Sequence, residues 1–186
     1  MAITVVRDQS DIRRKLATIM VADVVGFSRL TAEDENWTIS ALAELRGVVD
    51  EIIARHNGRI FNTGGDSVLA EFGSPVEAVR CAVDFQEAAR SRNLVQPRDR
   101  QLRYRIGLNL GDVIVRGDDL LGDGVNVAAR LEALAEPGGI CVSGTDRLGS
   151  DLRQAIARLC RYGRADGQEY SAACACVQIA SRRDRQ

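Results

Sequence analysis

Arg59-Ile60-Phe61-Asn62-Thr63-Gly64-Gly65-Asp66-Ser67-Val68-Leu69-Ala70-Glu71-Phe72 is the stretch whose reading decides the fold. Two apolar runs, Ile60-Phe61 and Val68-Leu69-Ala70, flank Thr63-Gly64-Gly65-Asp66. Paired glycines supply the positive φ angles that a tight turn needs, so the stretch predicts a β-hairpin with a carboxylate, Asp66, at its tip. Taken alone, Asp66 reads as readily as a plain turn residue, because aspartate favours turns.

Outward to the N-terminal side, Leu16 to Val25 is a nearly continuous apolar run rich in β-branched residues and interrupted by Asp23, which suits a central strand. Gly26-Phe27-Ser28 closes it. Thr31 to His56 reads as one long helix, with Leu42, Leu45, Val49, Ile52 and Ile53 at helical spacing. Thr31, Asp34 and Glu35 suit its cap and first turn, and Asn57-Gly58 its stop. On the C-terminal side, Ser74-Pro75 opens a second helix. Asn93 to Arg100 is a polar loop. Leu102 to Leu110 alternates, and Gly111-Asp112 ahead of Val113-Ile114-Val115 reads as a second hairpin. A loop over 118–124, a short helix from Val125 to Leu134, a Pro137-Gly138-Gly139 turn and a strand at Ile140–Ser143 follow. This order predicts an α+β fold: a ferredoxin-like βαββαβ core, an antiparallel sheet with helices packed on it.

The composition narrows the function. With 186 residues, 45% apolar and 27% charged, the chain suits one soluble domain with a full core. A net charge of −1 gives no electrostatic case for nucleic acid or an acidic membrane surface. Five cysteines without paired metal-ligand spacing, and the single histidine His56, predict neither a disulfide framework nor a Cys/His zinc site. The run after Leu16 is too short to span a bilayer, and Arg13-Arg14-Lys15 leads to no cleavage site. The expectation is a reduced, cytoplasmic protein.

In such a core the first strand and the second arm of the hairpin are neighbours, so Asp23 and Asp66 are expected to meet at one edge of the sheet. Two carboxylates beside glycine-rich backbone suit Mg²⁺ or Mn²⁺ with substrate phosphates as further ligands. A two-ion site of this kind serves phosphoryl transfer. Gly26, Phe27 and Ser28, at the strand-to-helix turn, are placed to offer N–H groups to a triphosphate. The competing reading of Asp23 is a satisfied buried acid.

Five segments carry a resemblance: Ala22-Asp23-Val24-Val25-Gly26-Phe27-Ser28-Arg29-Leu30, Asn62-Thr63-Gly64-Gly65-Asp66-Ser67, Arg105-Ile106-Gly107-Leu108-Asn109, Gly122-Asp123-Gly124-Val125-Asn126-Val127-Ala128-Ala129-Arg130-Leu131-Glu132, and Pro137-Gly138-Gly139-Ile140. In this order the chain resembles the class III nucleotidyl cyclases, the adenylyl and guanylyl cyclases, from about Leu16 to Gly144, in the style of rhizobial-type bacterial domains. The resemblance implies that Asp23 and Asp66 bind two Mg²⁺ (or Mn²⁺) ions, that Arg105 contacts the triphosphate, and that Asn126 orients the ribose. It makes Arg130 the group that stabilises the charged transition state. Residues at i and i+4 share a helix face, and a guanidinium fork suits a growing oxyanion. The resemblance also implies a head-to-tail homodimer with two shared sites. The reaction would be attack of the ribose 3′-oxygen on the α-phosphate of ATP, giving 3′,5′-cyclic AMP and pyrophosphate, with positioning and electrostatics supplying the rate.

The departures are informative. Where such adenylyl cyclases carry a purine-reading lysine, this chain has Asn62; Asp119 stands at the companion aspartate position, seven residues before Asn126. Asparagine both donates and accepts, so ATP is the expected substrate and GTP the alternative. A low-activity module that binds nucleotide or pairs with another cyclase chain is a further alternative. A diguanylate cyclase is disfavoured, because Ser67-Val68 replaces the acidic-aromatic pair expected after Asp66. The chain divides into a lead at 1–15, the catalytic domain at 16–150 and an atypical tail at 151–186. Codons for Arg161 to Ile179 can be chosen so that a one-nucleotide shift spells the family's usual closing strands, which predicts a frameshift before about Arg161.

Overall fold

The structure, a computed structural model, describes residues 13–143 and 177–180. At its centre lies β1 (Arg13–Val24), as the nearly continuous apolar run from Leu16 suits. β1 pairs antiparallel with β3 (Ser67–Phe72) on one side and β4 (Tyr104–Arg116) on the other. β2 (Gly58–Gly64) pairs antiparallel with β3, and β5 (Asp119–Leu121) folds back on β4. Beyond β4, β6 (Ile140–Ser143) and then β7 (Val177–Ala180) are added in parallel. The order β2-β3-β1-β4-β6-β7 contains the expected βαββαβ core in its first four strands.

The alternation of β1 divides its side chains between two faces. Met20, Ala22 and Val24 join Ile106 and Leu108 of β4 in a core closed by α2 (Glu35–Arg55) and α3 (Pro75–Asn93). Ala17, Ile19 and Val21 face the other way, with Val113, Leu120 and Ala128 of α4 (Asp123–Leu134). α4 reaches the sheet because Gly107 has no side chain: a Cβ there would lie 2.1 Å from Ala128 O and 2.3 Å from Glu132 N. Asn109 Nδ2 donates to Gly124 O at 2.9 Å and fixes the start of the same helix. Among the described residues, no helix is long and apolar enough to cross a membrane.

Three expectations need correction. The long first helix is two, α1 (Phe27–Glu33) and α2, because Asp34 leaves helical geometry at φ −157°. Its carboxylate accepts from Trp37 N–H at 3.1 Å, so Asp34 and not Thr31 caps α2. There is no hairpin at Gly111-Asp112: β4 runs unbroken to Arg116 and turns at Gly117-Asp118. α4 packs against this stretch through Gly124, where a Cβ would lie 2.8 Å from Asp112 O. The extra length of β4 gives Arg13–Lys15 partners at Val113–Val115, so the first strand is already formed at Arg13 and not only from Leu16. Residues 1–12 lie outside the described residues, as does the expected frameshift apart from Val177–Ala180.

Candidate functional site

The hairpin tip is a two-residue turn, Gly65-Asp66, with Gly65 at φ 60°, a conformation that favours glycine. Ser67 Oγ closes it by donating to Gly64 O at 2.8 Å. The Val24 N–H donates to Asp66 Oδ2 at 3.1 Å, which fastens the tip to the end of β1. Asp66 is thereby held beside Asp23. Burial, then the charge of Asp66, then the charge of Glu132 push the Asp23 carboxyl up to about 6; Arg105 pulls it only partly back. Two half-buried carboxylates side by side are chemically suited to a hard divalent cation, which would neutralise both. Among the described residues no group of three or more His, Cys, Asp or Glu is arranged to hold a metal.

Arg105 stands opposite Asp23 in the β1–β4 register. Its Nε lies 2.9 Å from Glu132 Oε1. Both atoms are buried and neither makes a hydrogen bond, so the contact is an ion pair whose alignment is poor. Burial raises the Glu132 carboxyl, and Arg105 offsets part of that rise. Sequence reading passed over Glu132. The helical spacing of Gly124, Ala128, Leu131 and Glu132, all buried, is the signal that places it on the sheet side of α4.

The remaining residues fall into separate groups. Gly26 caps α1 at φ 70°, with Phe27 and Ser28 in its first turn, immediately beyond the Asp23 end of β1. Asn62 is exposed on β2, opposite Leu69 and beside an irregularity in the β2–β3 register. Arg59 Nη1 donates to Asp118 O at 2.7 Å, which ties the turn before Asp119 to β2. Asp119 Oδ1 accepts from Leu120 N–H at 2.9 Å. Asn126 and Arg130 are exposed on α4. At 100° per residue Arg130 points about 160° away from Glu132, and Asn126 shares its side of the helix. The fold thus brings Asp23, Asp66 and Arg105 together and turns Asn126 and Arg130 outward.

Residues 12–157 match the family described as the adenylate and guanylate cyclase catalytic domain. Over 136 residues the chain is 50% identical to "Putative adenylate cyclase 3" of Rhizobium meliloti strain 1021, covering 73% of this chain and 23% of that one. It is 39% identical to the crystal structure of an adenylate/guanylate cyclase/hydrolase from Silicibacter pomeroyi, with a TM-score of 0.70 over 77% of this chain and 83% of that one. The monomeric guanylyl cyclase domain of the RhoGC fusion protein from Blastocladiella emersonii is 26% identical, with a TM-score of 0.64 over 72% and 84% of the two chains. The chain spans less than half the length of the curated relatives it matches. The curled sheet, the order of its motifs and these matches together place the chain in the adenylate and guanylate cyclase catalytic domain family.

Proposed function

We propose that this chain is the catalytic unit of an adenylate cyclase, converting ATP to 3′,5′-cyclic AMP and pyrophosphate at sites shared between two copies. The observation that carries this reading is the division of the site residues. Asp23, Asp66 and Arg105 converge at one strand end, whereas Asn126 and Arg130 face away from the sheet on α4. A nucleotide lying on the aspartate pair of one copy would meet the Asn126 and Arg130 of another.

Asp23 and Asp66 would hold two Mg²⁺ or Mn²⁺ ions, which supply charge neutralisation at the attacking and leaving oxygens. Arg105 is placed to bind the triphosphate once it leaves Glu132, and the first turn of α1 lies next to it. Asn126 would orient the ribose, and Arg130 would balance charge growing on the α-phosphoryl oxygens. The 3′-hydroxyl gives up its proton to solvent water, its oxygen bonds to the α-phosphorus, and the bond from that phosphorus to the bridging oxygen breaks to release pyrophosphate. Asn62 and Asp119 would read the base. The 50% identity to a relative named as an adenylate cyclase supports ATP. Asn62 in the lysine position favours GTP as the second reading.

Assay of the purified chain with ATP and with GTP under Mn²⁺ tests both readings. Cyclic AMP as the main product is expected. A clear preference for GTP overturns the base assignment, and conversion of neither nucleotide overturns the enzyme reading in favour of a nucleotide-binding or pairing module.

A further inference from the structure

We propose that Glu132 is a positioning residue of the metal half of the site: it holds the Arg105 guanidinium off the Asp23–Asp66 pair and so keeps both carboxylates available to divalent cations. The proposal rests on the cation role of that pair given above, and it concerns a residue to which that reading assigns nothing.

The starting point is a conflict of charges. Arg105 is the cross-strand partner of Asp23. A guanidinium is the side chain best shaped to bridge two carboxylates, and partial burial strengthens that attraction. Left to itself, Arg105 would close on Asp23 and Asp66 and take the place of a cation. Its Nε lies instead 2.9 Å from Glu132 Oε1. With all groups ionised, the corner formed by Asp23, Asp66, Glu132 and Arg105 carries a net charge of −2 (three carboxylates and one guanidinium). Without Glu132 it carries −1, and cations are drawn less strongly.

The construction around Glu132 points the same way. Gly107, two residues from Arg105 on the same strand, admits the α4 backbone at Glu132 N itself. Together with the Asn109 bond to Gly124, this fixes where the Glu132 carboxylate begins. A buried acid in the apolar stripe of a short helix lowers stability relative to leucine unless it is paired. The pair it makes is not aligned as a hydrogen bond, so charge is what retains the guanidinium. Removing the charge while keeping the shape is therefore the informative change.

The test is a Mn²⁺ titration of the full chain, read by thermal denaturation without nucleotide. For Glu132→Gln the Mn²⁺ midpoint is expected to rise about ten-fold, the scale of one unit charge lost at a few ångströms in a partly buried site. The metal-free melting temperature should be unchanged or higher. The double variant Glu132→Gln/Arg105→Gln should return the midpoint to within about two-fold of the parent, because the competing guanidinium is gone. The Mn²⁺ midpoint of Glu132→Asp, with its charge kept, should fall between those of the parent and Glu132→Gln; a midpoint above both would point to a pure packing role and overturn the proposal. A parental midpoint in Glu132→Gln, or a double variant weaker than the single one, overturns the proposal. A parent chain indifferent to Mn²⁺ overturns it together with the metal assignment. A parent that responds to Mn²⁺ yet converts no nucleotide overturns the cyclase reading and leaves the positioning role standing.

Discussion

Asp23 and Asp66 are half-buried at a strand end and a two-residue turn, fastened by the Val24 N–H and crowded enough to push the Asp23 carboxyl up to about 6. Asn126 and Arg130 are exposed on a helix whose packed side is occupied by Ala128, Leu131 and Glu132. The first group is organised by this chain's own core and strained by its own charge. The second is carried outward, where its use depends on what meets α4. A single fold therefore presents two groups of polar residues of unlike character, one packed into the sheet end and one on the outer side of α4.

The largest effects should come from emptying either half. Asp66→Ala and Arg130→Ala should each lower turnover by about 1,000-fold, the upper range for removing a charge that stabilises a transition state. Only Asp66→Ala should also abolish stabilisation by Mn²⁺. Equal loss of the Mn²⁺ response in both variants would erase the distinction between the halves.

Gly107→Ala attacks the docking of α4 instead. The added methyl meets backbone at Ala128 O and Glu132 N, atoms that have no rotamer to yield. A stability loss of about 3 kcal/mol is expected in urea denaturation, with activity falling in parallel. A loss below about 0.5 kcal/mol would show that α4 is not docked so closely.

The smallest effect sharpens the comparison most. Burial first, and then Asp66, raise the Asp23 carboxyl from 3.8 to about 6. The folded chain thus binds this proton more tightly than the unfolded chain. The stability difference that results grows unfavourably as pH rises from about 4 and is complete above about 6. Asp23→Asn should melt a few °C above the parent at pH 7.5 without metal, with the gap closing towards pH 4. It should gain nothing from Mn²⁺, whereas the parent should. An Asp23→Asn variant that melts below the parent at pH 7.5 would mean that the charge does not strain the fold.

The meeting of Asp23 and Asp66 was legible because its signals are local and topological: a Gly-Gly-Asp turn, an apolar strand broken by one acid, and an element order that makes the two strands neighbours. The same local signal misled at Gly111-Asp112, where the strand continues and α4 packs against it through Gly124. The split at Asp34 was hidden because Thr31 to Asn36 is a polar stretch with neither glycine nor proline to mark a break, although the Asp34-to-Trp37 cap is local chemistry. Glu132 was missed for a different reason. Its meaning lies in Arg105, 27 residues earlier, and only the close packing of α4 on β4 brings the two together.

The central claim is that one working site needs the aspartates of one copy and the Asn126/Arg130 face of another. Co-refolding equal amounts of Asp23→Ala and Arg130→Ala chains tests it most directly. Each variant alone should be silent, and the mixture should recover about a quarter of the parental activity, since half of randomly paired dimers hold one intact site of two. A mixture as silent as its components would contradict the account.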